Sequence, residues 1–191
     1  WSAHFGYPAS NYTNASGDCP TQNFVDRFET LDGDPLLTEA DRAAAAAAGH
    51  YNEQDPYTNR DPRLDKTILH DGSVVAGCPA GINIHYDPAT GTYPTSSLNN
   101  NARTFGIAWG SNDSKGYSNT GYYVNKLWNG ALGTAAAHQH TDPLIRMAEL
   151  YLNYAEAVNE AYGPNGSAGE LDLTAVEAVN KVRSRAGMPG V

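Results

Sequence analysis

Residues 55–63 read Asp-Pro-Tyr-Thr-Asn-Arg-Asp-Pro-Arg, followed by Leu64, Asp65 and Lys66. Three acids (Asp55, Asp61, Asp65) and two arginines (Arg60, Arg63) thus crowd a stretch with neither helical nor strand period. Two carboxylates facing one bond would suit glycoside hydrolysis. Fork-shaped guanidinium donors would suit a ligand rich in acceptors. Every acid here, however, adjoins a proline or a cation, which is how locally paired loop charges are arranged. The residue types therefore favour a structural clasp. Asp-Pro stiffens the backbone, and Arg60 and Arg63 fork onto carbonyls or carboxylates to hold a long loop down.

A second constellation is Ala-His-Gln-His-Thr-Asp at 137–142. His138 and His140 would share one side of an extended backbone and could share a metal, but no third and fourth ligand are evident nearby. A solvated linker is the plainer reading, and no cofactor is expected. The aromatic loops carry more. Trp1, Tyr7 and Tyr12 lie among His4, Asn11 and Asn14; Trp109 and Tyr117 lie among Asn112, Asp113 and Lys115. Flat rings against the C–H face of a pyranose, with amides and carboxylates for its hydroxyls, are what sugar binding requires. These five rings are the candidate ligand contacts, against the plainer reading that they pin loops down.

Composition narrows the classes further. The 191 residues suffice for one domain, and Lys plus Arg (12) against Asp plus Glu (21) gives a net charge of −9. That charge repels phosphates and disfavours nucleic acid and anionic membrane surfaces as partners. Twelve tyrosines and three tryptophans against four phenylalanines give rings with polar handles, suited to surfaces that bind. No run of 18 apolar residues is available to span a bilayer. Cys19 and Cys78 could be a disulfide or two separate thiols, which spacing does not decide.

The elements that must position these residues divide unevenly. Phe24, Val25, Phe28 and Leu31 predict a short helix within 20–33, stopped by Gly33. Thr38 with Asp41, a run of alanines and then Gly49 predict a capped helix over 37–49. From 50 to 142 no helical pattern appears, only short candidate strands at 66–70, 81–86 and 121–128. From Pro143 an apolar stripe runs through Leu144, Met147, Ala148, Tyr151, Tyr154, Ala155, Val158 and Tyr162, with Asp142 at the cap and Gly163-Pro164 at the end. A second helix follows, with Thr174 and Glu177 as its capping box, a face of Val176, Val179 and Val182, and Gly187 as its stop. The two helices form a tetratricopeptide-like antiparallel hairpin, close-packed through small residues such as Ala155, Ala157, Ala161, Ala175 and Ala178. The expected fold is mainly α. A loop-rich region with short strands (1–142) drapes over a helical hairpin (143–191), and the two together are a piece of one larger domain.

The blocks PTQNFVDRFETLDG, DPYTNRDPRLDKTI, TGYYVNKLW, PLIRMAELYLNYAEAVNEA and AVNKVRSRAGMP occur in this order. Each resembles a block of the SusD/RagB family, the outer-membrane nutrient-binding lipoproteins of the Bacteroidetes, and together they touch most of 20–188. The resemblance implies a non-catalytic protein that captures oligosaccharides, or peptides in some members, and forms a lid on a SusC-like TonB-dependent outer-membrane transporter. It also implies a longer polypeptide, displayed at the cell surface and lipid-anchored through an N-terminal segment absent from this chain. No ligand residue carries over by motif. Tyr122, Tyr123 and Trp128 fall inside a block and are expected in the core. Two other classes stay open: a glycoside hydrolase or esterase of a polysaccharide utilisation system, and a tetratricopeptide scaffold that binds peptides.

Overall fold

A computed structural model describes residues 19–74, 120–126 and 143–191, together with the backbone at 82–83, 98–99 and 102–104. The fold is mainly α with short strands. The chain forms two compact units, each built from two separated stretches: residues 1–26 with 63–138, and residues 27–62 with 139–191.

In the first unit, α1 (Gln22–Val25) opens on Thr21, whose hydroxyl accepts from the Phe24 amide. The periodicity predicted a longer helix here. It stops at Val25 because the residues beyond find better partners elsewhere: Thr30 enters an isolated bridge with Arg60, and the Phe28 carbonyl accepts from the Arg60 guanidinium. Side-chain donors and long-range pairing thus outcompete the next helical turn. A one-turn helix, α3 (Arg63–Thr67), corrects the expectation of no helix between 50 and 142; five residues are too few to show a period. It runs into β1 (Ile68–Leu69), which pairs antiparallel with β5 (Tyr123–Val124), Leu69 opposite Tyr123. The amides of Asn125 and Lys126 both reach the Thr67 carbonyl, so two residues oppose one, as in a bulge, and the ladder ends. Val25, Leu64, Ile68, Leu69, Tyr122 and Tyr123 are buried, so the two tyrosines are core residues as expected. A second, three-stranded ladder joins β2 (Ile82–Asn83), β3 (Leu98–Asn99) and β4 (Ala102–Thr104) in the order β2-β4-β3; of these only β2 was legible in the sequence.

The second unit contains α2 (Glu39–Ala47), α4 (Met147–Tyr162) and α5 (Ala175–Ala186). α2 carries the predicted capping box: the Thr38 hydroxyl accepts from the Asp41 amide, and the Asp41 carboxylate accepts from the Thr38 amide. At its other end Gly49 takes φ +80, His50 N–H donates to the Ala45 carbonyl and Gly49 N–H to Ala46, a Schellman closure. α4 begins at Met147 rather than at Pro143. Leu144, Ile145 and Met147 are 94%, 67% and 64% exposed, so no burial rewards extending the helix toward Pro143.

α4 and α5 pack through Ala155, Val158, Ala175 and Ala178, flanked by Tyr151, Tyr154 and Val179. The valine face expected of α5 is only half-buried; the alanines face the seam because only small side chains allow so close an approach. Ala157 and Ala161, by contrast, are exposed. The Tyr154 hydroxyl donates to the Leu173 carbonyl at 2.5 Å and ties the connecting loop to the seam. Gly166 lies under Tyr162, where a Cβ would collide with the Tyr162 carbonyl. Thr174 caps α5, its amide and hydroxyl both donating to Glu177, whose carboxyl is thereby held below its ordinary value. Thr174→Ala is expected to cost about 1 kcal/mol of stability, read as a lowered denaturant midpoint at unchanged slope.

Candidate functional site

The loop that leaves α2 at His50 returns through the clasp sequence. Asn59 takes a left-handed φ of 55°, which asparagine tolerates, and turns the chain so that Arg60 points inward. Leu31 N–H donates to the Asn59 carbonyl at 2.7 Å and Asp61 N–H to the Glu29 carbonyl at 2.9 Å, framing the Thr30–Arg60 bridge. Arg60 is 7% exposed, and its guanidinium donates to the Pro56 carbonyl at 2.6 Å and to the Phe28 carbonyl at 2.7 Å. The Tyr51 ring centroid lies 5.9 Å from the guanidinium carbon, within cation–π range. Glu29 accepts from both terminal nitrogens of Arg183 (3.2 and 2.7 Å), and Arg183 Nε donates to the Pro189 carbonyl. The segment before the clasp is thereby fastened to the last turn of α5. Arg60 is the clasp that the sequence suggested. Arg63 opens α3 in the other unit.

The loop so held presents Tyr51 and Tyr57 half-buried, with Asn52, Glu53, Gln54 and Asp55 exposed. The Tyr51 hydroxyl donates to Glu53 at 3.4 Å, and Arg42 of α2 pairs with Glu53 at 3.3 Å. Rings, amides and carboxylates on one braced loop match what a pyranose asks for. Sequence reasoning passed these two tyrosines over because the stretch was read chiefly as a clasp; the available signal was tyrosine interleaved with Asn and Gln over 51–59. Along α5, Asp172, Leu173, Glu177, Asn180, Lys181 and Ser184 line an open groove of about 450 Å3. Its polar groups are already engaged in part: Glu177 in the cap, Asn180 on the backbone of Val191, and Lys181 at 6.0 Å over the Tyr151 ring.

The five predicted contacts, Trp1, Tyr7, Tyr12, Trp109 and Tyr117, lie outside the described residues, as do His138, His140 and Asp142. Asp61 is 2% exposed within the second unit, Asp55 is exposed on its loop, and Asp65 belongs to the first unit, where its carboxylate meets His70 Nε2 at 2.9 Å. Cys19 is a free thiol. Among the described residues no group of three His, Cys, Asp or Glu could hold a metal ion, and no helix is long and apolar enough to cross a membrane.

Five ordered blocks on a mainly α fold are matched by the SusD family profile over residues 2–191, nearly the whole chain. The chain belongs to the SusD family. This SusD-family chain is also similar to the crystal structure of a SusD-like protein from Bacteroides fragilis NCTC 9343, at 26% identity and a TM-score of 0.55. That likeness covers 98% of this chain, which spans 33% of the other. Among curated proteins none matches.

Proposed function

We propose that this chain is part of a non-catalytic, glycan-binding protein of the outer-membrane surface. In this reading it captures an oligosaccharide and passes it to a SusC-like TonB-dependent transporter. Family membership over residues 2–191 is the observation that carries the reading. The chemistry of the braced loop supports it, since Tyr51 and Tyr57 stand among Asn52, Gln54 and Asp55. Trp1, Tyr7, Tyr12, Trp109 and Tyr117 complete the proposed contacts, with ring faces stacking on sugar and amides taking its hydroxyls. Residues 1–142 and 143–191 act here as parts of one larger domain.

Affinity electrophoresis of the full-length polypeptide through gels cast with candidate polysaccharides tests this. Retention without release of sugar is the expected result, and Trp1→Ala or Trp109→Ala is expected to weaken it about tenfold, the equivalent of roughly 1.4 kcal/mol for one stacked ring. No retention on any glycan overturns the binding role. Release of shorter sugars would favour a hydrolase. Retention untouched by both substitutions removes those two rings from the site.

A further inference from the structure

The turn over residues 30–34 is closed on itself. Thr30 N–H donates to the Asp34 carbonyl at 3.0 Å, the Asp34 amide donates to the Thr30 hydroxyl at 2.9 Å, and that hydroxyl donates to Asp34 Oδ2 at 2.9 Å. Thr30 has no accessible surface and sits in the bridge to Arg60. Onto the same Oδ2 comes Nδ1 of His50 at 2.7 Å. His50 is the residue that closes the carboxyl end of α2 and opens the loop bearing Tyr51 and Tyr57. One titratable contact therefore joins the end of a helix, a closed turn and the start of the loop over residues 50–60.

We propose that the Asp34–His50 contact is a pH-dependent latch that fastens the start of the 50–60 loop to the 30–34 turn. The groups around the imidazole all favour its charged form. Asp34 and Asp32 face it from the turn, and the carboxyl end of α2 presents the negative pole of the helix. The cations nearby are engaged elsewhere. Arg42 of α2 is turned to Glu53 and to the Leu36 carbonyl, and Arg183 of α5, which lies near Gly33, is paired with Glu29.

The hydrogen bond that its Nδ1–H donates to Asp34 raises the His50 imidazole above its ordinary 6.5, helped by the charges of Asp32 and Asp34 and opposed by burial. The hydrogen bonds from His50 and then Thr30 hold the Asp34 carboxyl below its ordinary 3.8. Because the folded imidazole titrates above its unfolded value, its contribution is complete below 6.5 and disappears as pH rises through the folded value. Because the carboxyl titrates below its unfolded value, its contribution is complete above 3.8 and disappears as pH falls through the folded one. The latch is strongest between those limits and weakens as pH rises through the folded imidazole's value, above 6.5, where the contact loses its charge assistance.

Hydrogen exchange of the amides over residues 49–54 reads the latch directly, once the intrinsic base catalysis of exchange is divided out. Between about pH 6 and about pH 8.5, protection in the unmodified protein is expected to fall by about two- to fivefold, the span of a partly exposed ion pair. In His50→Gln, which keeps an uncharged donor at every pH, protection is expected to stay level. Equal pH dependence in both proteins overturns the proposal. Proton NMR provides a second measurement that needs no His50 variant to fold: the His50 Cε1–H midpoint should lie above 6.5 and move back toward it in Asp34→Asn. A midpoint at or below 6.5 in the unmodified protein also overturns it.

Discussion

Replacing Arg60 by alanine is expected to lower the unfolding free energy by about 3–5 kcal/mol, the largest loss for any single residue of the second unit. Arg60 is 7% exposed, and its guanidinium supplies donors to two carbonyls far apart in sequence, Pro56 and Phe28. Each charge-assisted bond contributes about 1.5–3 kcal/mol, and truncation strands both acceptors at once. The stacking of Tyr51 adds about 0.5–1 kcal/mol more. Arg60→Lys separates charge from geometry. A single ammonium cannot span both carbonyls, so about half of the loss is expected to remain despite an unchanged net charge. Denaturant titration followed by circular dichroism gives both numbers. An alanine variant within about 1 kcal/mol of the parent would show that Arg60 does not hold the loop.

Tyr123→Ala is expected to cost about 3–5 kcal/mol in the first unit. Tyr123 has no accessible surface and stands opposite Leu69 in the β1–β5 ladder, with Ile68 and Leu64 also buried. Removing the ring leaves a hole that a two-residue ladder, short and closed by a bulge, has little freedom to fill. Tyr123→Phe keeps the volume and tests the hydroxyl alone, with an expected loss of about 1 kcal/mol. Calorimetry of both variants distinguishes packing from hydrogen bonding. A Tyr123→Ala protein that unfolds at the parental temperature would place the ring outside the core.

What the sequence made legible is what local chemistry decides. Thr38 with Asp41 and Thr174 with Glu177 announce their helix starts, and Gly49 and Gly187 their ends, because cap and partner stand within four residues of each other. The same local rules overran at 26–33. There the helical period of Phe24, Val25 and Phe28 lost to Arg60, a donor 32 residues away from the carbonyl it takes. They overran again at 143–146, where Leu144 begins an apolar stripe but is 94% exposed and has nothing to bury against. At the candidate site, the presence of an arginine clasp could be read from Asp-Pro steps and guanidinium forks, but its acceptors are backbone carbonyls and leave no mark in side-chain types. The Asp34–His50 contact left no mark either. Sixteen residues separate the pair, and only the fold of the turn brings them to 2.7 Å.

Each compact unit takes its residues from two stretches of chain, and the stretch 27–62 lies between the two that make up the first. Neither unit can therefore be excised as an uninterrupted piece. Expression of 143–191 alone would leave Arg183 without Glu29, so a truncation series will not map binding onto halves of this chain. Interior deletions joined by short bridging peptides, or point changes in the intact polypeptide, are the dissections that the connectivity permits.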